Sequence, residues 1–227
     1  MIPKVIHCCW FGGRKTALAE RCLSSWRKYA PDYEIRECNE LPSDAPAFVR
    51  RALAEKRWAF VSDWMRFRLL AVFGGVYFDF DEELVAPFCG LPQGPWCAGE
   101  FRVDGSAGYA SGAGLALEPH SEIAATMLAY YSEHGVDCGM TVGEIMASVV
   151  AENSGCSLRM LSPEVLSPID CAGRMHRAAG TIGVHHYAMS WAPWWRKLLQ
   201  WISWHGGRPA IDALLKVKHR LRGRGRR

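Results

Sequence analysis

The sequence lacks the long apolar run that a membrane-spanning helix requires, and it lacks a cleavable signal pattern at its amino end. No stretch reaches roughly 18 consecutive apolar residues, and Ile2-Pro3-Lys4 leads directly into a short apolar segment. The nine cysteines are odd in number and have no repeat spacing, which is typical of free thiols in a reducing compartment. These absences predict a cytoplasmic protein.

The basic charge is concentrated at the carboxyl end. Residues 196–227 contain ten Lys or Arg and one acid, whereas the preceding 195 residues contain 17 basic and 22 acidic side chains. The net charge of +4 therefore combines an acidic body with a basic tail. The length suits one substantial domain, so we expect a domain over 1–192 and an aromatic, basic tail over 193–227.

The order of the predicted elements favours an α/β fold with a largely parallel mixed sheet flanked by helices. Residues 5–10 predict a buried strand, 16–29 a helix and 33–38 a second strand. A helix over 47–56 then precedes another over 58–73. Sites in such folds lie at the carboxyl ends of the strands, so the chemistry is expected there.

Residues 58–84 indicate a helix, a tight turn and a strand. Five apolar residues recur at helical spacing and predict the buried stripe of the helix: Trp58, Val61, Met65, Leu69 and Val72. Gly74-Gly75 supplies the positive φ that ends a helix. Side chains alternate in the strand that follows, which predicts one face of Val76, Phe78 and Phe80 and another of Tyr77, Asp79 and Asp81.

The two aspartates are candidate metal and ligand-binding residues. In an extended strand their Cα atoms are about 6.6 Å apart, so both carboxylates can line one site. Mg²⁺ and Mn²⁺ prefer oxygen ligands, which they commonly share between protein carboxylates and substrate phosphate. The D-x-D pattern alone also fits a phosphohydrolase with an aspartate nucleophile, or a non-catalytic binding site.

Other candidate site residues each have a structural alternative. Asp63 and Arg66 lie three apart on one helical face, so they form either a solvated ion pair or a site for hydroxyls and phosphate. Trp10 is either a core residue or a stacking surface for a base. The adjacent His185 and His186 are either core histidines or site residues. Because they face opposite ways in a strand, at least one would point toward the site, where imidazole can bind Mn²⁺.

The remaining segments are less regular. Residues 102–114 are rich in Gly, Ala and Ser and predict a loop, either a connection or a substrate lid. Helices are predicted at 122–131 and 142–152, and strand-like fragments near 158–166. Residues 181–187 predict a strand.

The tail mixes tryptophans and leucines with Lys and Arg from residue 194 onward. This composition favours an anionic membrane surface. A nucleic-acid partner and a simple solvated end are the alternatives, and the sequence has no recognisable nucleic-acid-binding module.

Three blocks of sequence together resemble the pattern of glycosyltransferase family 32: IPKVIHCCWFGG, WAFVSDWMRFRLLAVFGGVYFDFD and GVHHYAMSW. The resemblance covers about residues 1–191. It implies a GT-A fold, which is a Rossmann-like nucleotide-sugar-binding domain. It further implies a retaining hexosyltransferase that uses a nucleoside diphosphate sugar and Mn²⁺ or Mg²⁺. The implied acceptor is a surface polysaccharide or a lipid-linked glycan.

The resemblance also implies roles in donor binding. Trp10 would stack on the base, Asp63 and Asp79 would contact hydroxyls of the ribose or the sugar, and Arg66 would help to hold the donor. Tyr77 belongs to the same donor-binding set.

The remaining implied roles concern the metal and the leaving group. Asp81 with His186 or His185 would bind the metal on the diphosphate, and Asp79, Asp81 and Arg66 form the implied catalytic set. Trp191 would close over the leaving phosphate or the sugar. Phe80 departs from the pattern, which usually has a smaller residue inside the D-x-D.

Overall fold

A computed structural model gives the fold and describes residues 1–135, 139–153, 157–188 and 197–205. The helices are α1 (Ala17–Tyr29), α2 (Ala47–Ala54), α3 (Trp58–Phe73), α4 (Glu122–His134), α5 (Val142–Glu152) and α6 (Pro163–Leu166). Residues 197–205 form a further helix, α7. The strands are β1 (Val5–Cys9), β2 (Glu34–Cys38), β3 (Gly75–Tyr77), β4 (Glu82–Leu84), β5 (Trp96–Cys97), β6 (Gly99–Phe101), β7 (Ala107–Tyr109), β8 (Leu115–Leu117), β9 (Arg159–Met160) and β10 (Gly183–His185).

A mixed six-stranded sheet of order β2-β1-β3-β8-β5-β9 forms the centre of the fold. The first strand runs parallel to both of its neighbours, with Cys9 opposite Cys38 in β2 and His7 opposite Tyr77 in β3. Strand β8 is antiparallel to β3 and β5, and β9 is parallel to β5. The predicted strand, helix, strand order is therefore confirmed, and the carboxyl ends of β1, β2 and β3 lie at one edge.

Apolar side chains cover both faces of this sheet. One core joins α2, α3, α4 and α5 to the face that carries Cys9, Tyr77 and Leu115. The other core joins α1 to the face that carries Ile6, Val76 and Phe78. The predicted separation of the apolar residues is confirmed, because Val76, Phe78 and Phe80 share one core and Tyr77 lies in the other.

Helix α3 is buried more widely than a single stripe. Its most buried apolar residues are Val61, Trp64, Met65, Phe67 and Leu70. The predicted stripe was wrong at its carboxyl end, where Val72 is 37% exposed. The reason is that α3 lies between α2, α4 and the sheet, so three sides of its middle turns are covered. Periodicity detects one covered face only.

The helix ends at the two glycines, as predicted. Gly74 has a φ of +60° and donates its N–H to the carbonyl of Leu70, and Gly75 has a φ of +108°. A Cβ on Gly75 would lie 2.6 Å from the carbonyl oxygen of Val5 in the neighbouring strand. Both the dihedral angle and the close approach to β1 therefore require glycine.

Helix α1 holds the short strand β4 against the body. Trp26 donates from its indole N–H to the carbonyl of Glu82 at 2.8 Å, and the hydroxyl of Ser25 accepts from the amide of Leu84 at 2.9 Å. Strand β10 pairs antiparallel with β4, with His185 opposite Glu82. Residues 183–185 thus lie beside the acidic residues 79–83, about a hundred positions earlier in the chain.

Two predictions of secondary structure differ from the fold. Residues 102–114 are not all loop, because they include strand β7. This strand pairs antiparallel with β6, with Gly99 opposite Tyr109 and Phe101 opposite Ala107, and the two strands form a hairpin. Within 158–166, only β9 is a strand and α6 is helical, with Pro163 at its first turn. None of the described helices is both long and apolar enough to cross a membrane.

Replacing Gly75 with Ala is predicted to destabilise the fold, because the new Cβ meets the carbonyl of Val5 at a positive φ. We expect a loss of about 2–4 kcal/mol in the free energy of unfolding, measured with urea. Gly90 is the matched control, since its φ is +75° and no atom lies within 4 Å of an added Cβ. Gly90→Ala should cost only about 1 kcal/mol. Equal losses in the two variants would contradict the clash.

Candidate active site

The side chain of Arg66 is the centre of a buried ionic network at the carboxyl end of β3. It is 5% exposed. Its Nη2 lies 3.0 Å from Oδ1 of Asp63 and 3.2 Å from Oδ1 of Asp79, and its Nη1 donates to the hydroxyl of Ser111 at 2.6 Å. The predicted pair with Asp63 is therefore present, but it is neither solvated nor confined to the helix.

Tyr77, the last residue of β3, also belongs to this network. Its hydroxyl donates to Oδ1 of Asp79 at 2.9 Å, and the guanidinium carbon of Arg66 lies 4.9 Å from the centre of its ring. Asp79 thus accepts hydrogen bonds from both side chains. The structure brings four predicted site residues together here: Asp63, Arg66, Tyr77 and Asp79.

Burial and charge shift the pKa values in this network in opposite directions. Burial raises the pKa of Asp63 to about 6, against a smaller lowering by Arg66. Burial alone would lower the pKa of Arg66, but the carboxylates of Asp79 and Asp63 raise it above its usual value. Burial and Asp79 also raise the pKa of Tyr77. The guanidinium therefore stays charged and holds both carboxylates in place.

The D-x-D segment is a turn and not the predicted continuous strand. Strand β3 ends at Tyr77, and the amide of Glu82 donates to the carbonyl of Asp79 at 3.0 Å. The amide of Asp79 donates to the carbonyl of Gly112 at 2.8 Å, in the segment that precedes β8. Asp79 and Asp81 consequently have different neighbours, although they are two residues apart.

Residues 111–112 belong to this site and were not predicted. Ser111 is buried beside Arg66, and a Cβ on Gly112 would lie 2.1 Å from Oδ2 of Asp79. The only sequence signal was the concentration of small residues in 102–114. Small residues allow this segment to approach Asp79 closely, so it forms a wall of the site and not a simple connection.

Asp81 is held by residues from β10 and the segment after it. Its Oδ2 accepts the amide N–H of Ala188 at 2.8 Å, and its backbone carbonyl accepts the amide of His186 at 2.9 Å. The Nδ1 atom of His185 lies 3.7 Å from Oδ1 of Asp81.

The two histidines face opposite ways. The imidazole of His186 lies 2.8 Å from Oε2 of Glu83, which is also 3.1 Å from Nε of Arg21. The structure therefore brings His185, and not the side chain of His186, beside Asp81.

Glu82 is a second residue that sequence reasoning missed. It is fully buried, and within the described residues neither of its carboxylate oxygens has a hydrogen-bond partner with good geometry. Its Oε2 lies 3.4 Å from Nδ1 of His185. Burial raises the pKa of Glu82 to about 8, whereas for His185 burial is outweighed by Asp81 and Glu82, which raise its pKa to about 9.

Trp10 lies at the mouth of the site, directly after β1. It is half-buried, its indole N–H donates to the carbonyl of Gly13 at 2.8 Å, and its ring packs edge-on against Phe80 at 5.3 Å. Phe80 therefore has a packing role that explains an aromatic inside the D-x-D. Trp191 lies outside the described residues.

The residues around Asp81 fit a divalent metal of the Mg²⁺ or Mn²⁺ type. No three His, Cys, Asp or Glu side chains in the described part of the chain are grouped to hold an ion by themselves. These ions, however, are commonly held by one or two carboxylates, with water and substrate phosphate supplying the rest. The carboxylate of Asp81 provides such a partial set, and the imidazole of His185, 3.7 Å from it, can join the set once it has lost its proton.

Residues 17–100 match the sequence model of the glycosyltransferase sugar-binding region containing a DXD motif. The matched range includes Asp63, Arg66, Asp79 and Asp81. The resemblance to the DXD glycosyltransferases is confirmed.

Two solved structures support the same fold. The PaToxG glycosyltransferase matches with a TM-score of 0.52 and 17% identity, over 66% of this chain and 69% of that one. A glycosyltransferase involved in glycosylation of the major capsid of PBCV-1 matches with a TM-score of 0.53 and 12% identity, over 83% of this chain and 95% of that one. No curated protein sequence matches significantly. The predicted GT-A fold class is therefore confirmed.

The raised pKa of Asp63 predicts a pH-dependent effect of the Asp63→Asn substitution. Because the folded state binds this proton more tightly than the unfolded state, ionisation of Asp63 weakens folding between about pH 4 and pH 6. The free energy of unfolding of Asp63→Asn, relative to wild type, should rise by about 2–3 kcal/mol from pH 4 to pH 7. Urea unfolding at both pH values measures it.

Asp44→Asn is the control, since Arg68 lowers the pKa of this exposed carboxyl. The free energy of unfolding of Asp44→Asn, relative to wild type, should fall from pH 4 to pH 7, because the wild-type protein gains the interaction of ionised Asp44 with Arg68. An unchanged difference between Asp63→Asn and wild type across this range would show that Asp63 titrates normally.

Proposed function

We propose that the chain is a metal-dependent hexosyltransferase that moves a sugar from a nucleoside diphosphate donor to a glycan acceptor. The single observation that carries this proposal is the buried Arg66 network, which presents Asp63 and Asp79 beside the turn that holds Asp81. Both carboxylates of the network are partly open, with side-chain exposures of 21% and 32%. They are therefore held rigidly and remain accessible to donor hydroxyls.

The donor occupies the edge formed by the carboxyl ends of β1 and β3. In this proposal Trp10 stacks on the base, Asp63 and Asp79 accept hydrogen bonds from ribose or sugar hydroxyls, and Arg66 with Tyr77 keeps those acceptors oriented. Asp81, with His185, holds Mn²⁺ or Mg²⁺ on the diphosphate. When bound, the metal stabilises the negative charge that develops on the leaving diphosphate.

The reaction retains the anomeric configuration in this proposal. The bond from the anomeric carbon to the diphosphate oxygen breaks, and a bond to the acceptor hydroxyl oxygen forms on the same face. The acceptor proton passes to the departing diphosphate, so the chain need not supply a base. A surface polysaccharide or a lipid-linked glycan is the acceptor class that we propose.

The phosphohydrolase alternative requires a free aspartate nucleophile. Asp79 does not suit this role, because Arg66 donates to both of its oxygens, at 3.2 and 3.3 Å, and Tyr77 donates to one of them. A carboxylate held in this way is a poor nucleophile. A binding protein without turnover is the other alternative, and the following experiment separates it from an enzyme.

Asp81→Ala should abolish the Mn²⁺-dependent stabilisation of the protein by its donor. A panel of uridine and guanosine diphosphate hexoses is screened by thermal shift with and without Mn²⁺. The correct donor at about 100 times its Kd should raise the Tm of wild type by about 5–10 °C. Asp44→Ala, which removes an exposed carboxylate paired with Arg68, should behave as wild type.

Slow hydrolysis of the same donor distinguishes an enzyme from a binding protein. Mn²⁺-dependent binding without turnover on any acceptor would support the binding alternative. If no donor raises the Tm and Asp81→Ala equals wild type, the proposed function is wrong.

We also propose that the protein lies on an anionic membrane surface at the cytoplasmic face, with residues 193–227 as the attachment region. Helix α7 exposes Leu198, Leu199 and Trp201 at 43%, 37% and 57%. Ten Lys or Arg between 196 and 227 accompany this apolar face. Apolar side chains beside many cations suit a bilayer with anionic headgroups.

Trp201→Ser should weaken binding of the full chain to vesicles that contain anionic phosphatidylglycerol, about tenfold in flotation or sedimentation assays. Added salt should weaken wild-type binding further, because the attraction of the basic residues is screened. Val72→Ser is the control, since Val72 is an apolar residue of α3 that is 37% exposed and is not part of residues 193–227. Equal binding by Trp201→Ser and wild type would exclude α7 as the membrane contact.

A further inference from the structure

One peptide group connects helix α7 to the turn at residues 79–82. The side-chain amide of Gln200 donates to the carbonyl of Tyr187 at 3.0 Å, and the amide N–H of Ala188 donates to Oδ2 of Asp81 at 2.8 Å. That carbonyl and that N–H belong to the same planar peptide group. A hydrogen bond accepted at the carbonyl fixes the plane and strengthens the N–H as a donor.

The backbone at Tyr187 has an unfavourable conformation that neighbouring groups must hold. Its φ is +48°, which costs a residue with a Cβ about 1–2 kcal/mol. The phenol oxygen lies 2.6 Å from the hydroxyl of Ser167, and the ring packs edge-on against His185 at 4.5 Å. These contacts fix the side chain, whereas Gln200 contacts the carbonyl of the peptide that leads to Ala188.

We propose that Gln200 is a positioning residue that orients the carboxylate of Asp81 through the Tyr187–Ala188 peptide group. The inference rests on the proposed function, in which Asp81 binds the metal of the donor. Helix α7 then has two proposed roles. Leu198 and Trp201 are exposed and would contact the membrane surface, whereas Gln200 is half-buried and would position Asp81. A segment 119 positions away from Asp81 thus sets the geometry of the metal-binding carboxylate.

A second hydrogen bond from the same helix serves as an internal comparison. Ser203 donates from its hydroxyl to the carbonyl of Cys171 at 2.7 Å, and Trp204 packs over Gly173. These contacts also attach α7 to the body, but they do not involve the Tyr187–Ala188 peptide. If Gln200 only attaches the helix, loss of either hydrogen bond should have the same effect.

The test compares Gln200→Met, which removes the donor and keeps the side-chain length, with Ser203→Ala in the full chain. Each loses one side-chain hydrogen bond to a backbone carbonyl, so similar losses of Tm are expected. Mn²⁺ binding is followed by its EPR signal. We expect Gln200→Met to weaken Mn²⁺ binding about tenfold, which is the lower end for residues that orient a metal ligand, and Ser203→Ala to leave it unchanged.

Hydrogen exchange at the amide of Ala188 gives a readout that needs neither metal nor donor. Exchange at this amide should become faster in Gln200→Met and stay at the wild-type rate in Ser203→Ala. Gln200→Glu is the second variant, because it keeps the shape and replaces the donor with an acceptor. It should reproduce both effects if Gln200→Met does not fold.

Two negative results have different meanings. If Gln200→Met and Ser203→Ala show the same Ala188 exchange and the same Mn²⁺ affinity, Gln200 is only an attachment point and the inference is wrong. If wild type binds no Mn²⁺ with any donor while Ala188 exchange still responds to Gln200→Met, the positioning contact stands and the proposed metal-dependent function fails.

Discussion

Arg66 carries a positive charge into the interior of the protein, where an unpaired ion would destabilise the fold by several kcal/mol. Asp63 from its own helix and Asp79 from the end of β3 compensate that charge, and Ser111 and Tyr77 complete the surrounding hydrogen bonds. Three separate segments of chain are therefore held at one point. The same contacts that neutralise Arg66 also fix the two carboxylates at the edge of the sheet.

Asp81 belongs to a second assembly. Its contacts come from β10 and residues 186–188, which reach it only because β10 pairs with β4 and β4 is held by α1. The network around Arg66 thus fixes the carboxylates of Asp63 and Asp79, and residues 183–188 hold the proposed metal ligand Asp81. Glu82 and His185 lie beside Asp81: burial raises the pKa of Glu82, whereas for His185 the lowering by burial is outweighed by the carboxylates of Asp81 and Glu82.

Much of the fold was predictable because local rules determine it. The strands at the amino end, helix α3 and the Gly74-Gly75 turn follow from apolar periodicity and from the backbone freedom of glycine. The exposure of Val72 and the burial of Trp64 were not predictable, since they depend on which neighbouring helices cover α3. The turn at Asp79 was missed because the alternation of apolar and acidic residues continues through Asp81, although strand β3 ends at Tyr77 and the amide of Glu82 closes a turn on the carbonyl of Asp79.

The sequence by itself determined the α/β class, the D-x-D segment, the pairing of Asp63 with Arg66 and the resemblance to the glycosyltransferases. Each of these depends on residues that are close in the chain. Only the tertiary structure decided that Arg66 is buried between two carboxylates, that His185 and not the side chain of His186 lies beside Asp81, and that Gln200 contacts the peptide that holds Asp81. Those contacts join residues distant in sequence, and strand pairing and helix packing bring them together.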